Sequence, residues 1–260
     1  MTSAMSANLI GLGTITRREV VRILRIWSQT LLPSAITMTL YFVIFGRMVG
    51  SRIGNIQGDI SYIDYIVPGL IMMAVITNSY GNISSSFFGA KFQRFVEEML
   101  VSPMPSWVIL TGYISGAVLR GLIVAIIVLI ISLFFTKIHL FHPLVTFTTV
   151  LLTAVVFSLA GFVNAIYAKK FDDIALVPTF VLTPLTYLGG VFYSVSALPT
   201  PWREISYGNP ILYMVNAFRY GLLGITDVDM RLAYAVMIAF AVALASISLY
   251  LLDRGVGLRS

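Results

Sequence analysis

Charged residues gather at positions 17–25, 91–98, 169–173 and 253–259, and the long stretches between them carry almost none. This is the pattern of a chain that crosses a membrane repeatedly as helices, since about 20 helical residues span a hydrocarbon core about 30 Å thick. Six runs almost free of charge are long enough, near 30–50, 65–88, 107–135, 143–168, 174–194 and 231–252. The first is short and has Pro33 near its start, whereas the last, Leu232 through Leu252, is an unambiguous span. The expected fold class is all-α integral membrane, with one transmembrane domain over 1–260.

Two shorter segments read as amphipathic rather than spanning. At about 100° per residue, Arg18, Arg22 and Arg25 gather on one side of a helix over 14–28, with Val20, Ile23, Leu24 and Trp27 on the other. This predicts a helix lying in the cytoplasmic interface ahead of span one. Over 91–100, Phe92, Phe95, Val96, Met99 and Leu100 share a face opposite Lys91, Gln93, Arg94, Glu97 and Glu98, and Ser102-Pro103 with Pro105 ends the helix. The plain reading of such a helix is a lipid-surface anchor. Its polar face mixes signs, however, and a lipid-seeking helix would be mostly basic. Between Arg203-Glu204 and Arg219 lies another uncharged run, too short to cross and broken by Gly208-Asn209-Pro210. It predicts a re-entrant exoplasmic segment, two short helices dipping into the outer leaflet before span six. An ordinary loop is the weaker alternative, because so apolar a loop would expose a large patch.

Composition sharpens this picture. The chain is 58% hydrophobic and 11% charged, against about 25% charged in a soluble domain, which rules out a water-soluble fold. Basic residues set orientation. With six spans, Arg17, Arg18, Arg22, Arg25, Lys91, Arg94, Lys169, Lys170, Arg254 and Arg259 share the side of both termini. Arg47, Arg52, Lys137, Arg203, Arg219 and Arg231 fall on the other. Both termini are therefore predicted to be cytoplasmic. Residues 1–16 lack the basic start and apolar core of a signal peptide, so the N-terminus is expected to stay on the protein. The net charge of +6 gives no case for nucleic acid, because four of the arginines flank a membrane segment where they touch anionic lipid.

Candidate chemistry narrows further. A membrane enzyme needs a base beside a nucleophile, or a metal. The two histidines, His139 and His142, fall in a short turn with no carboxylate in the adjoining spans, and cysteine is absent, so neither a catalytic nor a metal site is expected. All eleven acidic residues lie outside the predicted spans, which leaves an ion-coupled carrier without an obvious proton or sodium relay. That carrier, or a facilitative one, remains the alternative reading. Arg120 is the one charge away from the end of a span, placed either to contact an anionic substrate or lipid or to snorkel to the interface. No lysine follows a glycine, so the chain has no phosphate-binding loop and any ATP must be hydrolysed by a partner.

The spans also carry polar groups. Span two holds Asn78, Asn82 and Ser85 among other hydroxyls, and an amide in hydrocarbon must face protein or an aqueous path. Span five combines Pro178 and Pro184, which invite kinks, with Thr179, Thr183 and Tyr187. These six polar residues are the candidates to line a pathway. Gly112 and Gly116 form a small-xxx-small pair that predicts close helix packing.

Two stretches carry a family resemblance. Glu97-Glu98-Met99-Leu100-Val101-Ser102-Pro103 is similar to the acidic helix and Ser-Pro stop that follow the second span in membrane subunits of ABC-2 type exporters. Pro184-Leu185, Leu188-Gly189-Gly190-Val191-Phe192-Tyr193, Leu198-Pro199, Trp202, Ile205-Ser206, Asn209-Pro210, Tyr213 and Arg219 resemble that family's C-terminal signature. One departure is Phe95-Val96, where a small Gly-Thr pair often precedes the acidic residue. The resemblance implies a bacterial inner-membrane permease in two copies, moving a lipid, glycan or drug-like cargo outward. It also implies two copies of a separate ATPase that binds ATP and Mg, with no cofactor in this chain. Phe92, Arg94, Glu97, Glu98 and Leu100 would then couple to the ATPase. Asn209, Pro210, Tyr213 and Arg219 would form a re-entrant gate. The family's cargo is chemically diverse, so the resemblance does not name the substrate.

Overall fold

A computed structural model describes residues 2–57, 60–138 and 140–258; Asp59, His139 and Arg259 lie outside them. Six helices are long and apolar enough to cross a membrane. They are α2 (Trp27–Ile53), α3 (Tyr62–Phe92), α5 (Ser106–Ser132), α6 (Pro143–Tyr167), α7 (Phe171–Leu188) and α10 (Met230–Arg254). Around them lie α1 (Thr2–Arg25), α4 (Phe95–Val101), α8 (Thr200–Tyr207) and α9 (Pro210–Leu223). Strands Asn55–Gln57 and Ile60–Ser61 pair antiparallel between α2 and α3.

Local chemistry sets the ends. The Ser61 hydroxyl accepts from the Asp64 N–H at 3.3 Å and donates to its carboxylate at 2.5 Å, closing the first turn of α3. Asp229 accepts from the N–H groups of Arg231 and Leu232 to start α10, and Gly255, at φ +64°, ends it. Pro143 and Pro210 occupy the first turns of α6 and α9, where the missing N–H has no intrahelical role. Turns widen to π geometry over Phe42–Val49 in α2 and Pro178–Leu182 in α7. In α7 the widened turn follows Pro178, and the Thr183 hydroxyl takes up the Pro178 carbonyl at 2.9 Å.

The core sits on α3 and α6. In their most apolar stretches 83% and 67% of residues are buried, against 17% in α2 and 11% in α7. The exposed faces of α2 and α7 would be costly in water, whereas in hydrocarbon they meet lipid or another chain. Close approach needs glycine at one point of the α3–α6 seam. A Cβ on Gly161 would lie 2.6 Å from the Tyr80 carbonyl oxygen.

Two expectations for the short helices are corrected. The helix predicted over 91–100 is divided, because α3 continues to Phe92 and Arg94 then turns left-handed at φ +62° before α4 begins. The helix predicted over 14–28 is Thr2–Arg25, and its buried stripe is Ile15, Glu19 and Ile23, while Leu24 and Trp27 are exposed. The stripe turns inward because α1 packs on the small surface of α5, where a Cβ on Gly112 would lie 2.7 Å from the Ile15 side chain. Gly116 offers the same opening to Glu19. The small-xxx-small pair is thus the seat of α1.

Gly161→Ala is expected to destabilise the detergent-solubilised protein by about 1–3 kcal/mol, because backbone on the facing helix must move. Gly81→Ala, whose Cβ meets nothing within 4 Å, is expected to be neutral or to stabilise by about 0.5–1 kcal/mol. Thermal unfolding followed by fluorescence-detected size exclusion separates the two.

Candidate functional site

One face of α3 carries Asn78, Asn82 and Ser86, each four residues from the next and so stacked along the helix. Each meets a charged group from another helix. Arg120 of α5 donates through Nη2 to Asn78 Oδ1 at 3.0 Å and to the Thr30 carbonyl at 3.1 Å. Asn78 also hydrogen-bonds Ser34 of α2, its Nδ2 lying 3.0 Å from that hydroxyl. One turn along, Arg22 of α1 donates to Asn82 Oδ1 at 2.8 Å. At the next turn the Ser86 hydroxyl lies 2.7 Å from both oxygens of Glu19. Glu19 pairs with Arg22 at 2.9 Å and with Arg18 at 3.5 Å.

This ladder relocates two of the pathway candidates. Asn78 and Asn82 are buried, at 6% and 0% exposure, and turn to arginines of the same chain rather than to an open surface. The charge in span three is likewise held by acceptors on α2 and α3. Ser85, on the next face round, is exposed and lines a cleft of about 720 Å³ between α1 and α3. Thr179, Thr183 and Tyr187, four residues apart, form an exposed stripe along α7. Sequence reasoning missed Glu19. The signal was present as the spacing Ile15, Glu19, Ile23, an apolar stripe with a carboxylate at its centre, and only a buried partner explains that.

The ATPase-coupling candidates surround α4. Arg94, Glu98 and Phe92 are exposed, while Glu97 and Leu100 are half-buried. Val96, at 1% exposure, anchors the helix to the core. The Phe92 ring lies 5.2 Å from Phe171 at the start of α7. Lys91, assigned by sequence to the polar face, instead donates to the carbonyls of Ile166 and Ala168 at 2.5 and 2.8 Å. A cation there satisfies the last acceptors of α6 and favours its negative end.

The gate candidates gather where α7, α8 and α9 meet α3. Asn209 caps α9 by accepting from the Ile211 N–H at 3.0 Å and donates to the Leu185 carbonyl at 2.6 Å. The Tyr213 hydroxyl donates to the Tyr207 carbonyl at 2.8 Å, bridging α8 and α9. Arg219 is 1% exposed. It donates to the Gly190 carbonyl at 2.6 Å and lies 4.0 Å from the centre of the Tyr65 ring. His142 stacks on Tyr220 at 4.7 Å in the adjoining turn.

The model of the ABC-2 type transporter family matches residues 11–223, a stretch that runs from α1 to the end of α9. The chain belongs to the ABC-2 type transporter family. It is 57% identical over 251 residues to the inner membrane transport permease YadH of Escherichia coli (strain K12), covering 96% of this chain and 98% of that protein. More distant relatives include nodulation protein J of Rhizobium leguminosarum bv. viciae, 23% identical over 216 residues, 83% of each chain. Nodulation protein J of Neorhizobium galegae is 22% identical over 254 residues, 97% of each. The chain is therefore a multi-pass inner-membrane permease and the membrane subunit of an ABC transporter, a class that works with ABC ATPase partners.

Single cysteines test the ladder without background, since the permease has none. Ser85→Cys is expected to react with a water-soluble maleimide in the resting protein, and Asn82→Cys to stay unlabelled. Equal labelling rates would place both faces of α3 in the cleft.

Proposed function

We propose that this permease is the membrane half of an ATP-driven exporter, working as two copies of itself with two copies of a separate ATPase. ATP and Mg would bind in that partner, both termini would face the cytoplasm, and a lipid, glycan or drug-like cargo would leave the cytoplasm or inner leaflet. The supporting observation is α4, an acidic helix presented by the left-handed turn at Arg94 and fixed to the core through Val96. A force applied there passes into α3, and through its ladder into α1, α2 and α5. The stripe Thr179, Thr183, Tyr187 on the lightly buried α7 supports a pathway between two copies, because a homodimer sets equivalent faces opposite each other. The segment α8–α9 would lie in the outer leaflet as a plug at the exit. An ion-coupled or facilitative carrier is the reading that the following assay also tests, since it would need no ATPase.

Reversing Glu97 and Glu98 to lysine is expected to leave the permease inserted and to lower stimulated ATP hydrolysis at least tenfold, as repelled charges lose the docking surface. Unchanged turnover and co-purification would return α4 to a lipid anchor. At the other end, Asn209→Ala with Pro210→Ala removes the α9 cap, a loss of about 1 kcal/mol. Export by this variant is expected to fall more than ATP hydrolysis, measured side by side in proteoliposomes.

A further inference from the structure

The cleft between α1 and α3 has a charge imbalance that the chain itself leaves open. Arg17, Arg18, Arg22 and Arg25 line it, and the single carboxylate there is Glu19. Glu19 is 1% exposed and already accepts from Ser86, Arg18 and Arg22. Arg17 and Arg25 are exposed and have no hydrogen bond or ion pair among the described residues. The Nε of Arg22 is buried without an acceptor. The facing wall is neutral, with Ser85, Gly89 and Gln93. We propose that this cleft binds the phosphoryl headgroup of an amphiphile.

Guanidinium forks match phosphoryl oxygens in shape and charge, and two unpaired ones beside a small polar wall fit a headgroup. The surroundings fit its tail. Val21 and Phe95, at 44% and 47% exposure, line the cleft with apolar surface beside the arginines, and Ile26 closes its end. An acidic protein surface would use the arginines but would leave that apolar shoulder without a partner. Free phosphate would leave it empty as well. The cleft also sits at the end of a membrane span, the level at which headgroups and basic residues meet. The site deepens the transport reading by naming a phosphoryl amphiphile as the molecule presented to the pathway. It rests on that reading for its purpose, whereas its binding needs no ATPase.

The test uses the full-length permease alone in nanodiscs of phosphatidylcholine containing phosphatidylglycerol as the probe, followed by native mass spectrometry of retained lipid. The wild type is expected to keep phosphatidylglycerol over phosphatidylcholine. Arg17→Gln with Arg25→Gln should weaken that retention about tenfold or more, through lost charge-assisted hydrogen bonds. Arg52→Gln, exposed in the last turn of α2, should not change it. Equal retention by the double variant overturns the proposal. So does displacement of the lipid by inorganic phosphate, which would make this a site for free anion. A double variant that keeps the lipid but loses the ATPase would show that the arginines face protein, and would overturn it too. Failure of the export reading registers separately, in the ATPase assay on α4, and leaves lipid retention untouched.

Discussion

A polar group inside hydrocarbon must find a partner in the protein, and this constraint organises the permease around α3. An unsatisfied amide or guanidinium there costs several kcal/mol, whereas each made interhelical hydrogen bond contributes about 0.6 kcal/mol on average. The asymmetry decides what the ladder does. Summed as bonds, Asn78, Asn82 and Ser86 add little stability. As groups that must not be left alone, they fix the rotation and register of α1, α2 and α5 against α3, because a slip of one residue would strand Arg120, Arg22 and Glu19 together. The glycines of α5 serve the same end. Gly112 and Gly116 let α1 come close enough for a short side chain on α3 to reach a carboxylate on α1.

The other end of α3 obeys the same rule by different means. Among the described residues Arg219 has no carboxylate bonded to it: its Nη groups donate to the Gly190 carbonyl and to Asn216 Oδ1, the guanidinium lies over Tyr65, and Nε keeps no acceptor. The central helix is thereby tied at both ends by arginines from its neighbours. α2 and α7 have no comparable hold over most of their length and bury little surface. Few buried contacts mean a low cost of local displacement. α3 and α6 form the buried centre, α1 and α5 are tied to α3 by the ladder, and the exposed hydroxyl stripe lies on α7, the least buried span.

The spans were legible because hydrocarbon thickness imposes a length that no tertiary contact overrides, and all six stand near their predicted places. The ends of the short elements were not. The left-handed turn at Arg94 has no signature in a non-glycine residue, and it cut a helix that amphipathicity alone read as continuous. The site was legible in residue type but less so in partner. Periodicity showed that Asn78 and Asn82 needed company, and it could not choose between water and an arginine far along the chain. Glu19 was hidden for a related reason. A lone acid in a basic segment reads as a solvated face, and only the i, i+4 spacing with Ile15 and Ile23 betrays its burial.

The same physics separates what the family's signature encodes from what it does not. Gly190 sits at φ +72°, a conformation that favours glycine, and turns its carbonyl to Arg219. Asn209 joins the start of α9 to α7, and Tyr213 joins α9 to α8. These residues close one polypeptide turn around buried backbone groups, and Arg219 and Asn209 are almost wholly enclosed by it. Side chains so enclosed face the interior of that turn and not an open surface. These residues therefore specify how the chain folds back after α7, whereas the basic cleft beside α1 and the stripe of α7 keep exposed side chains outside that turn.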